Sequence, residues 1–267
     1  MTTRRKAAPA PPKLLVEERR RRIVELVHQK GRVTVDELVA LFGISAVTIR
    51  ADLEALDRAD VISRSHGGAL PAAAQLDTPL NIKETRHHAQ KLRIGEAAAE
   101  LIEDGETIIL DSGSTTAEIA RRIRQRKWTS LTVITNALNI AMELSALPAV
   151  RVMMLGGLLR QTSYSLAGPD AEQALSRLSA DRLFLGVDGL DPEVGVTTPD
   201  PLEASLNALM IRVSRQTVAV LDASKFGQRS LSVIAPVSEL DLVISDTAAS
   251  ADYVQALEGK GVKTLLV

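Results

Sequence analysis

The sequence predicts an α/β protein in two parts, an N-terminal winged helix-turn-helix joined to a larger, mostly parallel α/β domain. Three observations carry this. Two N-capped amphipathic helices flank a glycine turn near residue 43, and apolar runs alternate with helical patterns from Lys91 onward. The charge also changes sign along the chain: residues 1–69 hold 13 Lys plus Arg against 9 Asp plus Glu, and the remainder holds 19 against 24, although all 267 residues net -1. Opposite-signed parts indicate separate tasks.

Taken in order, "MTTRRKAAPAPPKLL" lacks an apolar core and reads as a disordered basic arm, residues 1–16, with Arg4, Arg5 and Lys6 as its cations. In "EERRRRIVELVHQKG", Ile23, Leu26 and Val27 fall at helical spacing, and Gly31 stands where a helix ends. Thr34 with Glu37 three residues later forms a capping box, and Leu38, Leu41 and Phe42 supply that helix's apolar stripe. After the turn at Gly43 and Ile44, Ser45 caps a second helix in which Ile49, Leu53 and Leu56 share a face. "VISRSHGGAL" then reads as the hairpin of a wing, which closes the head at about residue 70.

Such a head places the N-terminal end of its second helix in the major groove. Ser45, Ala46, Val47, Thr48 and Arg50 are therefore the candidate DNA face, and Arg64, His66, Gly67 and Gly68 the candidate phosphate contacts of the wing. Arg50 is the leading candidate, since a guanidinium pairs bidentately with guanine or with phosphate. The bland alternative is a small helical subdomain with a solvated charge run at Arg19–Arg22.

Residues 71–83 open with the proline- and alanine-rich "PAAAQLDTPL" and are assigned to a linker, with the second domain over 84–267. There the pattern predicts a helix to Ile102, then strands at Thr107–Leu110, Leu131–Thr135, Val150–Leu155, Leu183–Val187, Thr217–Leu221, Leu242–Ile244 and Lys263–Val267, with helices Ala117–Ile123 and Leu138–Leu147.

Composition narrows the function. The chain has no cysteine, which removes disulfides, thiolate metal sites and sulfur nucleophiles and fits a reducing cytoplasm. No run approaches the roughly 18 apolar residues of a membrane helix. At 2% aromatic residues the chain is ill suited to stacking single-stranded nucleic acid, whereas duplex DNA stays open. His87 and His88 are adjacent and so point to different sides of a helix, which makes a metal role improbable.

Ligands of open parallel sheets collect beyond the carboxyl ends of the strands. The small and polar clusters stand there: Asp111, Ser112, Gly113, Ser114, Thr115 and Thr116; Thr135 and Asn136; Gly156 and Gly157; Asp188; and Lys225. The first cluster opens a helix, whose free amides and positive dipole end suit an anion. Lys225 and Arg160 are the candidate counter-charges, and Asp111 and Asp188 the candidate acceptors for sugar hydroxyls. Each cluster alone also fits an ordinary turn.

"VTVDELVALFGISAVTIRADLEALDRADVISRSHGGAL" resembles the winged helix-turn-helix of the DeoR family of bacterial transcription regulators. The family has a second arginine where this chain has Ala51, so one contact is missing or supplied by Arg58 or the arm. The clusters from Lys91 to Val267 resemble the family's sugar-phosphate-isomerase-like sensor domain. More narrowly, "ILDSGSTTAEIAR", "LFLGVDGLDPEVGVTTPD" with "EASLNALM", and "DASKFGQRSL" are similar to regulators of N-acetylgalactosamine and galactosamine catabolism. The resemblance implies a repressor released by a phosphorylated amino sugar or its ketohexose-phosphate product; the two-part layout adds a homo-oligomer, dimer or tetramer, on a double-stranded DNA operator, with no cofactor and no membrane partner expected. Two competing readings share the same loop: an active sugar-phosphate isomerase or deaminase, and a sugar-phosphate module whose winged helix contacts protein.

Overall fold

The computed structural model describes residues 16–30, 33–58, 61–65, 67–71 and 78–267. Of the positions singled out above, the arm with Arg4, Arg5 and Lys6, the Gly31 stop, His66 and linker residues 72–77 lie outside the described residues. The chain divides into two compact units between Ala74 and Gln75.

The first unit comprises α1 (Val16–Lys30), β1 (Val33–Thr34), α2 (Val35–Phe42), α3 (Ala46–Arg58), β2 (Ile62–Ser65) and β3 (Gly68–Pro71). Its helix starts follow from local chemistry. Thr34 Oγ1 accepts from the Glu37 amide at 3.2 Å while Glu37 Oε2 accepts from the Thr34 amide at 2.7 Å, a reciprocal cap whose N-cap is worth about 1 kcal/mol. Gly43, at φ 66°, closes α2, and Ser45 Oγ accepts from the Thr48 amide at 3.2 Å to open α3. Ile23, Val27, Leu38, Ile49, Leu53 and Ile62 form the centre of the core. Leu41 departs from the expected stripe: it is 50% exposed, and Val35 takes the buried position because α2 turns its 35, 38 and 42 face inward.

β1, β3 and β2 form a three-stranded antiparallel sheet in that order, so the expected wing is a hairpin backed by a third strand. Gly68 was expected at its DNA-facing tip. It is instead buried against β1, where a Cβ would lie 2.1 Å from the Val33 carbonyl oxygen. Its lack of a side chain serves strand pairing, and Gly67 is the exposed member of the pair.

The second unit begins with α4 (Leu80–Thr85) and α5 (His88–Glu100), so residues 80–83, expected in the linker, are helical. There follow β4 (Thr107–Leu110), α6 (Ser114–Gln125), β5 (Leu131–Thr135), α7 (Leu138–Leu144), β6 (Val150–Met154), β7 (Leu158–Arg160), β8 (Ser165–Ala167), α8 (Pro169–Leu175) and β9 (Ala180–Gly186). The chain continues through β10 (Gly189–Asp191), β11 (Gly195–Thr198), α9 (Pro201–Val213), β12 (Ser214–Val220), β13 (Ser232–Ala235), β14 (Leu242–Ser245), α10 (Ala251–Glu258) and β15 (Lys263–Leu266).

The seven strands expected from the apolar runs all join one parallel sheet, ordered β15-β14-β12-β9-β4-β5-β6. Alternate residues feed two cores. Ile108 and Leu110 pack in one with α5, α6 and α7, while Ile109 packs in the other with α8, α9 and α10. Burial on both faces is what a parallel sheet requires. The β7-β8 hairpin and the antiparallel trio β10-β11-β13 went unseen in the sequence, because they are short insertions that do not follow the strand-to-helix alternation by which the seven were read.

The sheet order also locates the site. From β4 the chain winds outward through β5 to β6, then returns to lay β9 on the other side of β4 and winds the opposite way. The boundary between β4 and β9 is therefore the switch point, where adjacent loops leave in opposite directions and open a crevice.

Candidate functional site

In the first unit, the expected DNA face is largely exposed. Val47 is 74% exposed, and Ser45, Thr48 and Arg50 are exposed beside it, while Ile49 and Leu53 point into the core. Ala46 departs from this set, since it packs against the core. Ala51 is exposed on the Arg50 side, so an arginine there would reach outward. Arg58 lies seven residues on, roughly 10 Å along the axis on nearly the same face, exposed and paired with Glu54 at 3.3 Å. Arg64 is exposed on the hairpin, its amide held by Asp57 Oδ1 at 2.9 Å.

The charge run at Arg19–Arg22 is only partly a solvated face. Arg19 and Arg20 converge on Asp52 of α3, at 2.6 and 3.0 Å, and Asp52 is 2% exposed. This pairing fastens α1 to the helix carrying the DNA face.

In the second unit, the loop from Asp111 to Thr116 leaves β4 and opens α6 at the switch point. Asp111 was expected to face a sugar hydroxyl. Its side chain turns into the loop instead, where Oδ1 accepts from the Gly113 amide at 3.1 Å and from Thr116 Oγ1 at 2.8 Å. Burial pushes its carboxyl up to about 7, against those hydrogen bonds and with a small addition from the Glu203 charge. Asp111 and Thr116 therefore shape the loop. Ser112 reaches outward, donating to Glu203 Oε1 at 3.2 Å, while Ser114 and Thr115 occupy the first turn of α6.

The raised Asp111 pKa has a measurable consequence. Folded Asp111 keeps a proton that the unfolded chain loses above its ordinary value near 3.8, so this stability is complete below that value and declines until about 7. The sole tryptophan, Trp128, reports on this unit alone. In urea unfolding followed by its fluorescence, wild type is expected to lose about 3 kcal/mol more than Asp111→Asn between pH 5 and pH 8. Identical pH slopes would show that Asp111 titrates normally.

Across the crevice, Asp188 follows β9. Its Oδ1 accepts from Lys83 Nζ at 2.6 Å and its Oδ2 from Thr198 Oγ1 at 3.4 Å, with the Lys225 charge also acting on it. Burial raises its pKa, but the Lys83 and Lys225 ammoniums and these hydrogen bonds outweigh it, and the carboxyl is held below its ordinary value. Arg160 pairs with Asp200 at 3.2 Å and with Glu203, and donates to Ser163 Oγ at 3.2 Å. Glu203, buried beside Asp188 but countered by Arg160, sits above the ordinary range.

The structure thus brings together Ser112, Arg160, Asp188 and Lys225 of the expected set and joins them to Lys83, Thr198, Asp200 and Glu203, which sequence reasoning missed. The start of α9 was legible, because Asp200 caps it, accepting from the Glu203 amide at 2.9 Å, with Pro201 at the first helical position. Nothing in a proline-rich stretch marked Lys83.

Other expected members also make contacts within the unit. Thr135 is fully buried and its Oγ1 accepts from the Ala137 amide at 3.1 Å. Asn136 is also buried and ties β8 by donating to the Leu166 carbonyl at 3.0 Å. Gly157 admits the close passage of β8, a Cβ there falling 2.6 Å from the Ala167 oxygen, whereas Gly156 is exposed with open space around it.

Chemically, the cluster offers half-buried cations, of which Lys83 and Arg160 are already matched with carboxylates. It is poorly arranged for proton abstraction: the carboxyl titrating near 7 is turned into its own loop, Glu203, although raised, is ion-paired with Arg160, and Asp188, on the crevice, is held below its ordinary value and is weakly basic.

The DeoR-like helix-turn-helix domain matches residues 19–74 and the DeoR C-terminal sensor domain matches residues 86–247. A protein of Escherichia coli O157:H7 provisionally named an aga operon transcriptional repressor is 40% identical over 249 residues, covering 92% of each chain. The glycerol-3-phosphate regulon repressor of Escherichia coli is 32% identical over 235 residues, covering 88% of this chain and 92% of its own. Ribose 5-phosphate isomerase A of Methanocaldococcus jannaschii overlays 53% of this chain and 55% of its own at 18% identity, with a TM-score of 0.39. With both of its units matched in this order and curated repressors aligned over nearly its full length, the chain belongs to the DeoR family of DNA-binding transcription regulators.

Proposed function

We propose that this regulator represses a sugar or amino-sugar catabolic operon and is released from its operator by a phosphorylated sugar held in the second unit, at the switch point between β4 and β9. The observation that carries the reading is the anion-suited loop at residues 111–116 opening α6 and linked through Ser112 to the Glu203–Arg160 pair, in a chain that also carries a helix-turn-helix head. The glycerol-3-phosphate name of one relative supports a small phosphorylated carbohydrate or polyol as the class of signal. The chain acts as a homo-oligomer, dimer or tetramer, because one small head binds specific DNA weakly and linked heads raise the effective concentration. Release requires the ligand to prefer the non-binding arrangement, and a hundredfold loss of operator affinity needs a coupling of about 2.7 kcal/mol.

Fluorescence polarization on the promoter DNA of its own operon tests this, with galactosamine 6-phosphate, N-acetylgalactosamine 6-phosphate, fructose 6-phosphate and their unphosphorylated forms. Tight binding weakened by one phosphosugar alone is the expected result, and no specific DNA binding under any condition sinks the reading. Ser114→Glu places a carboxylate in the first turn of α6 and should weaken that phosphosugar at least about thirtyfold, roughly 2 kcal/mol, leaving a repressor that no longer lets go. Unchanged affinity by calorimetry would remove the loop from the site.

A further inference from the structure

α4 is the first element after the unit boundary, separated from it by residues 75–79 only, and it is fastened to three walls of the candidate ligand site. The Leu80 amide donates to the Thr162 carbonyl at 2.7 Å, in the loop between Arg160 and Ser163. Lys83 Nζ donates to Asp188 at 2.6 Å. Glu84 accepts from Arg121 of α6, the helix opened by the anion loop, at 3.2 Å. Lys91 of α5, 4% exposed, holds the far end by donating to the Lys83 and Arg86 carbonyls at 2.5 and 2.8 Å. A helix of six residues is too short to persist by itself, so these ties hold it.

We propose that Lys83 is the coupling residue of this regulator: the phosphosugar competes with Asp188 for its ammonium, resets α4, and so moves the residue from which the DNA-binding head hangs. This rests on the phosphosugar reading above. Asp188 keeps Thr198 and the Lys225 charge when Lys83 leaves, so the exchange strands no buried carboxylate. A ligand shifts an equilibrium only through contacts that differ between its two states. Lys83 meets that requirement, because its partner is a carboxylate in one arrangement and a phosphosugar in the other. Arg160 and Lys225 belong to elements inside the unit and cannot carry the change to the boundary as directly.

The experiment uses the full chain as wild type, Lys83→Met and Lys83→Arg, with operator affinity measured in the absence and at calorimetric saturation of galactosamine 6-phosphate and, separately, fructose 6-phosphate. Wild type is expected to show a roughly hundredfold ratio with one of them, Lys83→Met a ratio below about threefold although the phosphosugar still saturates it, and Lys83→Arg most of the wild-type ratio. Hydrogen exchange of the Leu80–Thr85 amides in wild type should change on saturation. A wild-type ratio in Lys83→Met overturns the coupling role. Unchanged exchange in α4 overturns it as well, even if the methionine variant does not fold. A ratio of one in wild type with both of these phosphosugars and with N-acetylgalactosamine 6-phosphate, despite specific operator binding, refutes the phosphosugar reading itself, and the inference falls with it.

Discussion

Replacing Arg50 with alanine is expected to abolish specific operator binding, lowering affinity between about thirtyfold and about twenty thousandfold while sugar-phosphate affinity stays intact. The side chain is exposed near the start of α3, beside Val47 and Thr48, on a helix whose opposite stripe of Ile49, Leu53 and Leu56 is buried. The Ser45 cap fixes that end of the helix, so Arg50 is presented by an ordered turn. A bidentate contact to a base is worth about 1–3 kcal/mol, and the two heads of the proposed oligomer would double it. Ala51 adds no polar contact beside it, which leaves this end of the helix dependent on one guanidinium. Polarization against operator and scrambled DNA separates base reading from phosphate contact: loss on operator alone marks base reading, and equal loss on both with a shallower salt slope marks phosphate. Near-normal operator affinity would remove Arg50 from the DNA face.

Asp52→Ala should have an effect of similar size through stability. The carboxylate is 2% exposed and joins Arg19 at 2.6 Å and Arg20 at 3.0 Å, and the Arg19 side chain is itself only 10% exposed. Removing one member of a buried ion pair costs about 3–5 kcal/mol, since the remaining charge stays desolvated. A head of this size has little more than that to lose. Circular dichroism should show an early loss of helix in the variant, while the Trp128 fluorescence transition of the second unit stays in place. Operator and non-specific DNA affinities should fall together, unlike the Arg50 variant with its folded head. A first unit as stable as in wild type would show that the pairing is dispensable.

Much of this regulator was determined by the sequence alone. The capping box at Thr34 and Glu37, the glycine turn, the Ser45 cap and the seven apolar strand runs are patterns among near neighbours, and each has a preferred local conformation whatever surrounds it. The polar clusters were legible for a related reason, since strand ends mark where a parallel sheet opens. The tertiary structure decided the rest. Asp111 was placed on the right loop but turned inward, Gly68 and Gly157 proved to be points of close strand approach, and Leu41 gave its buried place to Val35. Asp52 with Arg19 spans 33 positions, Glu203 with Ser112 spans 91, and Lys83 with Asp188 spans 105. A carboxylate in a sequence carries no mark of the cation that will neutralise it; only folding, by removing both from water, makes that pairing obligatory.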